Sequence, residues 1–227
     1  MTERSIAVIV AHPDDEVLLA GGAIALHADA GDAVHILILA TGAAARGGDQ
    51  ARAVERLGID AREAAKILGA KSVTARDFPD NRMDTVALLE IVRAVEAFLA
   101  ESPADVIYTH HAGDLNSDHR IVQQAVLTAA RPLPGARTAE ILAGETNSAT
   151  EWTGPGFQPF QPTDFLDIGN TLERKVRALA CYKGEIRDWP HPRSVEGVRA
   201  LARWRGAQSG LGAAEAFMAV RRIRRRP

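Results

Sequence analysis

The sequence predicts an α/β fold, a Rossmann-like three-layer sandwich in which helices cover both faces of a mostly parallel sheet. Three observations predict it. Short β-branched runs alternate with amphipathic stretches through the first half, the pattern of βαβ units. The run at 33–39, AVHILIL, is apolar almost throughout, as a strand covered on both faces must be. With 227 residues, 46% apolar and 25% charged, the chain has the composition of a globular protein with a full core, which excludes disordered and collagen-like classes.

The elements follow in order. Ser5–Val10 reads as the first strand and Val17–Ala30 as a helix closed by Gly31; Ala33–Leu39 is the second strand. After the loop TGAAARGGD, the stretch Gln50–Leu68 reads as a helix with a break at Gly58 and a stop at Gly69, followed by a short strand at Ser72–Arg76. Thr85–Glu101 carries apolar residues at 86, 88, 89, 92, 95, 98 and 99, a helical spacing. Val106–Thr109 makes the fourth strand and Ile121–Ala130 the next helix. Beyond Pro132 the pattern weakens: a strand at Ile141–Glu145, a covering loop TGPGFQPFQPTD, helices at Leu172–Tyr182 and Val195–Gln208, and a last strand at Glu215–Ile223. No internal repeat is present, and residues 1–227 read as one domain.

Bulk properties narrow the function. The formal net charge is −2 and the one dense basic run, 221–226, sits at the end, where it reads as a solvated terminus; nucleic acid is not the expected partner. The single cysteine, Cys181, has no internal disulfide partner and lies in an apolar helical stretch, so it reads as packing, and a reducing cytoplasm is expected. No segment approaches 18 consecutive apolar residues, so no membrane-spanning helix and no signal peptide are expected.

Two motifs carry chemistry. AHPDDE, residues 11–16, falls where the first strand gives way to a helix; HHAGDLNSDH, residues 110–119, occupies the same place after the fourth strand. In the doubly wound order 3-2-1-4 these strands are neighbours and the winding reverses between them, which is where ligands sit. Two segments a hundred residues apart thus present imidazole and carboxylate groups to one crevice. Two histidines and an aspartate suit zinc, which is catalytic when three protein ligands leave a position open. Zinc lowers the pKa of its water toward about 7, and a second carboxylate beside the ligand is placed to take the proton. Capping competes with this: Asp14, Asp15, Glu16 and Asp118 also suit helix N-termini.

At these residues the chain resembles the LmbE-like or PIG-L-type family of zinc-dependent N-deacetylases. AHPDDE is that family's hallmark, and the likeness extends through Thr41-Gly42, Arg62-Glu63, Phe78-Pro79-Asp80-Asn81 and Asp118-His119, covering roughly the first 130 residues. The resemblance implies the family's fold and its activity, removal of an N-acyl group, in the first place acetyl, from an amino sugar or glycoconjugate of the N-acetylglucosamine type. It implies His12, Asp15 and His119 as Zn2+ ligands and Asp14 as general base and later acid. It also implies a homo-oligomer. Many members have histidine where this chain has Asn116, a residue that helps stabilise the oxyanion. Asn116 or His191, in the HPRS stretch, is expected to fill that role. Arg46, Asp80, Asn81 and Asp118 are candidate substrate contacts, with Arg46 first for a phosphate or hydroxyl.

Other readings stay in view. Arg62 is read as anchoring its helix, His110 and His111 as structure or support to the ligands, His27 and His35 as packing, and Trp152, Phe157 and Phe160 as either an apolar wall or loop anchors. A nucleotide-binding oxidoreductase lacks its Gly-x-Gly-x-x-Gly turn here. The alternatives carried forward are a catalytically inactive carbohydrate-binding relative and a metal-dependent phosphoesterase.

Overall fold

The computed structural model describes residues 3–40 and 50–224. Seven strands form one sheet: β1 (Ser5–Val10), β2 (Ala33–Ala40), β3 (Ser72–Phe78), β4 (Val106–His110), β5 (Glu140–Gly144), β6 (Asp164–Asp167) and β7 (Ala214–Arg222), in the order β3-β2-β1-β4-β5-β7-β6. The first five strands are parallel, and β7 is antiparallel to both β5 and β6. The α/β class and the 3-2-1-4 order expected from the sequence are both present.

Among the described residues six helices flank the sheet: α1 (Asp15–Asp29), α2 (Gln50–Leu68), α3 (Leu88–Glu101), α4 (Ser117–Ala129), α5 (Leu172–Leu179) and α6 (Val195–Ser209). Because alternate side chains of a strand point to opposite faces, β1 divides itself between two cores. Ile6, Val8 and Val10 join Ile36, Ile38 and the apolar sides of α1 and α2, while Ala7 and Ile9 join Leu37, Leu39 and the buried faces of α3 and α4. None of the helices among the described residues is long and apolar enough to cross a membrane.

Helix starts differ from the sequence reading for a local reason. α1 begins at Asp15, not Val17. α4 begins at Ser117, not Ile121, because Asn116 caps it, its Oδ1 accepting from the Asp118 N–H at 2.8 Å. Gly58 does not break α2, which is continuous through it. The stretch read as one helix from Thr85 divides into a 3₁₀ turn at Met83–Thr85 and α3. β6 was hidden in the tail of the Gly/Pro-rich loop. Arg221 and Arg222 belong to β7, where Arg222 pairs with Glu140 and Asp164, so the basic run is not wholly a solvated end.

α1 carries the one break that matters for the site. Ala20 has non-helical dihedrals, φ −142° and ψ 20°, which frees backbone groups in a buried helix. Glu215 of β7 accepts from the Gly22 and Ala23 N–H groups at 2.8 and 2.7 Å, and Lys175 of α5 donates to the Leu18 carbonyl at 2.8 Å and to Glu215 at 2.7 Å. A buried ion pair thereby satisfies the broken turn, as buried backbone polar groups require.

Candidate active site

The turns after β1 and β4 meet at the carboxyl edge of the sheet, where the strand order reverses. His12 and Asp15 come from the first turn and His119 from the start of α4, and one ligand atom from each lies within 4.8 Å of the other two. Asp15 Oδ2 stands 3.2 Å from His12 Nδ1 and 3.2 Å from His119 Nε2, while the buried Asp15 Oδ1 has no hydrogen-bond partner.

Each imidazole has another carboxylate behind it, hydrogen-bonded at His12 and in ion-pair contact at His119, whose Nδ1 makes no hydrogen bond. His12 Nε2 lies 3.1 Å from Asp118 Oδ2 and 3.2 Å from Asp80 Oδ1; His119 Nδ1 lies 3.2 Å from Asp114 Oδ1. A carboxylate on the far nitrogen fixes the tautomer and turns the near nitrogen's lone pair inward, the support that metal-ligating histidines ordinarily have. Burial alone would push the His12 imidazole down, and Asp118, Asp15 and Asp80 reverse this, raising it to about 10. For His119 burial also acts downward, and Asp15 and Asp114 raise it to about 9. The donor set therefore fits a divalent cation: nitrogen and oxygen ligands, an orphaned carboxylate oxygen, and negative charge in excess.

His110 is a brace. Its Nε2 accepts from the Ala11 N–H at 2.9 Å and its ring stacks on His119 with centroids 3.9 Å apart. Burial, reinforced by His119, pushes it down to about 3, so it is neutral. His111 holds the covering loop, its Nε2 lying 2.8 Å from the Gln158 carbonyl and its ring edge-on to Phe160. The loop lies so close that a Cβ on Gly113 would sit 1.9 Å from that same carbonyl oxygen, so only glycine fits at 113. Phe157 and Phe160 stack under Arg120 and Arg205 respectively.

Asp14 stands beside the cluster, 2% exposed, at a backbone φ of 101° that side-chain-bearing residues rarely adopt. Its N–H donates to Glu16 Oε2 at 3.1 Å, and Glu16 is itself held by the Tyr182 hydroxyl. Burial pushes the Asp14 carboxyl up, and Arg193 pulls it back. Arg193 donates to Asp14 Oδ2 at 3.0 Å, to Ser148 Oγ at 2.6 Å and to Glu185 Oε2 at 3.4 Å. The sequence reading missed this residue. His191, the histidine expected from the HPRS stretch, packs edge-on against Trp152 and accepts the Arg193 N–H, leaving Arg193 to reach inward.

Two other expectations are corrected. Asp118, expected at the substrate, is fully buried, with one oxygen at His12 and the other accepting from the Met83 N–H at 3.1 Å. Asp80, 4% exposed, likewise faces His12. Asn81 is exposed, and Asn116 donates to its Oδ1 at 3.1 Å while capping α4, so one of the two Asn116 amide hydrogens is already used. Arg46 lies outside the described residues. Cys181 is half-buried against the core, not within it, and burial pushes its thiol up.

A doubly wound sheet with a buried His/Asp/His cluster at its reversal point, next to a second carboxylate held by an arginine, defines an α/β enzyme centre. The PIG-L, GlcNAc-PI de-N-acetylase, family model matches residues 7–130, and the chain belongs to this LmbE-like family. It is 32% identical over 207 residues to 4-oxalmesaconate hydratase of Pseudomonas putida, covering 83% of this chain and 77% of that protein. It is 26% identical over 231 residues to diacetylchitobiose deacetylase of Thermococcus kodakarensis, with 96% and 83% covered. The solved N,N'-diacetylchitobiose deacetylase of Pyrococcus horikoshii superposes with a TM-score of 0.78 at 17% identity, over 96% of this chain and 84% of that one, which establishes the shared fold. The family thus holds both deacetylases and a hydratase.

Proposed function

We propose that the protein is a zinc-dependent N-deacetylase acting on an acetylated amino sugar or its conjugate. The observation that carries this reading is the convergence of His12, Asp15 and His119 around a partnerless Asp15 oxygen, beside a second, separate carboxylate at Asp14. A zinc ion held by those three residues supplies Lewis acidity, polarising a carbonyl and lowering the pKa of water.

The chain's residues do the rest. Asp14 accepts a proton as water adds to the amide carbon, then returns it to the departing nitrogen as the C–N bond breaks, releasing acetate and a free amine. Arg193 fixes the orientation of Asp14. Asn116 offers its remaining amide hydrogen to the developing oxyanion, a contribution of about 2.7–4 kcal/mol for a well-placed donor. Asn81 and Arg46 are the proposed contacts to sugar hydroxyls or an attached phosphate.

A second reading, addition of water across the double bond of an unsaturated acid, is favoured by the Pseudomonas putida relative. The charge around Asp14 weighs against it. Arg193 is already matched by Asp14 and Glu185, which leaves little surplus for a polycarboxylate. Zinc content, acetate release from a panel of N-acetylated amino sugars and loss of absorbance from conjugated unsaturated acids decide between the two, with Asp14→Ala as control. Bound zinc and acetate release abolished in the variant support the deacetylase; hydration without acetate establishes the second reading, and metal with neither reaction leaves a binding protein.

A further inference from the structure

The chain has three tryptophans, and Trp152, Trp189 and Trp204 are all more than half exposed, at 51%, 61% and 60%. Indoles bury large apolar area and are ordinarily well covered, so three left in water around one feature point to something that covers them. Trp189 and Trp204 line a cleft of about 370 Å³ between the 145–151 segment, the 189–192 loop and α6. Trp152 packs on His191, between the two prolines, Pro190 and Pro192, that form part of the same wall. The volume falls within the range of about 300–1,000 Å³ of small-molecule sites.

The polar part of the lining is rich in acceptors: Glu145, Thr146, Asn147 and Glu151. Glu145 is fixed by two 2.6 Å hydrogen bonds from Arg205, and a carboxylate so held still has lone pairs to offer. The same segment also touches the buried residues that support the reacting centre. The Thr146 hydroxyl is 3.2 Å from His110, which stacks on His119, and the Asn147 amide donates to the Pro192 carbonyl, one residue before the arginine that holds Asp14.

We propose that this cleft is a second sugar subsite, taking the pyranose ring next to the one that bears the acyl group; it rests on the reading of the substrate as an amino-sugar conjugate. A pyranose presents C–H faces that stack on indoles and hydroxyl groups that donate to carboxylate and amide oxygens, which is the complement of this lining. A flat aryl group would satisfy the indoles and leave the acceptors unmet. The same tryptophans could meet a second copy of the chain, and the test separates that case.

Because two of the three tryptophans line the cleft and the third packs on His191 beside its wall, intrinsic emission reports on it. The zinc-loaded Asp14→Asn protein is titrated with N,N'-diacetylchitobiose and with N-acetylglucosamine. The disaccharide is expected to shift the emission and bind at least tenfold more tightly than the monosaccharide, and Trp204→Ala and Trp189→Ala, checked for folding by circular dichroism, to bring its affinity down to the monosaccharide's. Equal affinities, saccharide binding without an emission change, no binding at all, or an emission shift that follows protein concentration together with sedimentation as a dimer would each overturn the subsite. Acetate release from N-acetylglucosamine by the unaltered protein tests the parent reading separately: acetate without an emission response to the disaccharide removes the subsite alone, and an emission response without acetate removes the deacetylase alone.

Discussion

Asp14 occupies φ 101°, ψ −28° at the entrance of α1, and its side chain makes no cap hydrogen bond there. The strain is therefore not repaid locally, and a non-glycine residue in such a region costs about 1–3 kcal/mol. Substituting Asp14 by Ala and, separately, by Gly isolates this cost: both variants lose the carboxylate and deprive Arg193 of the same one of its partners, so those effects cancel. What differs is one Cβ. Alanine ordinarily gains about 0.4–1 kcal/mol over glycine by restricting the unfolded chain, and here the strain outweighs it, leaving glycine ahead by about 1 kcal/mol. In a protein of this size that is a rise in Tm of about 2–4 °C for Asp14→Gly over Asp14→Ala. Thermal unfolding of the two metal-free proteins by calorimetry reads the difference, and neither variant is expected to turn over substrate. An alanine variant as stable as the glycine one, or more so, refutes the strain argument.

Three further outcomes are expected. Arg193→Ala removes the partner of a nearly buried carboxylate and is expected to lower stability by about 3 kcal/mol and turnover about a hundredfold with zinc content unchanged; turnover and unfolding within error of the parent sink the positioning role. His27, hydrogen-bonded to the Tyr108 hydroxyl at 3.0 Å and to Asp32 at 2.7 Å, is lowered from 6.5, chiefly by burial. The unfolded chain then binds the extra proton first, so stability is full above about 6.5 and declines as pH falls toward the folded value; His27→Gln should flatten that slope in urea unfolding, though not remove it, since burial also lowers His35. Lys175→Met leaves Glu215 in the core at the break in α1 without its cation, held only by the Gly22 and Ala23 N–H groups, a loss of about 3–5 kcal/mol by denaturant unfolding, and a change under 1 kcal/mol shows that the pair does not brace the helix.

The parallel half of the fold was legible because its signals are local: apolar runs, helical spacings, and glycines at 31 and 69, both with positive φ where their helices end. The triad was legible for a different reason. Two motifs follow strands that the doubly wound order makes neighbours, so topology brings together what sequence separates. Arg193 was not legible, because its contact with Asp14 spans 179 residues and its neighbour His191 offered a more familiar side chain. Nor was the Lys175–Glu215 pair, whose purpose exists only once α1 is broken at Ala20. Asp118 was misplaced because a motif shows which residues gather at a turn, not whether each faces the pocket or the back of its neighbour.

The placement of Asp15 and His119 on helix first turns bears on why the cluster is so heavily acidic. Asp15 opens α1 and His119 lies in the first turn of α4, so the positive ends of two helix dipoles point toward the same pocket. That field favours carboxylates and opposes a protonated imidazole. Yet His12 and His119 are both raised well above the ordinary histidine range, because Asp15, Asp80, Asp114 and Asp118 crowd against them. The carboxylates thus favour positive charge in the pocket against the preference of the helices that frame it. Two protons on two imidazoles meet that demand, and so does one divalent cation between neutral imidazoles. The second arrangement would also give the Asp15 oxygen left without a hydrogen-bond partner something to bind, and it agrees with the proton-transfer role proposed for Asp14 beside Arg193.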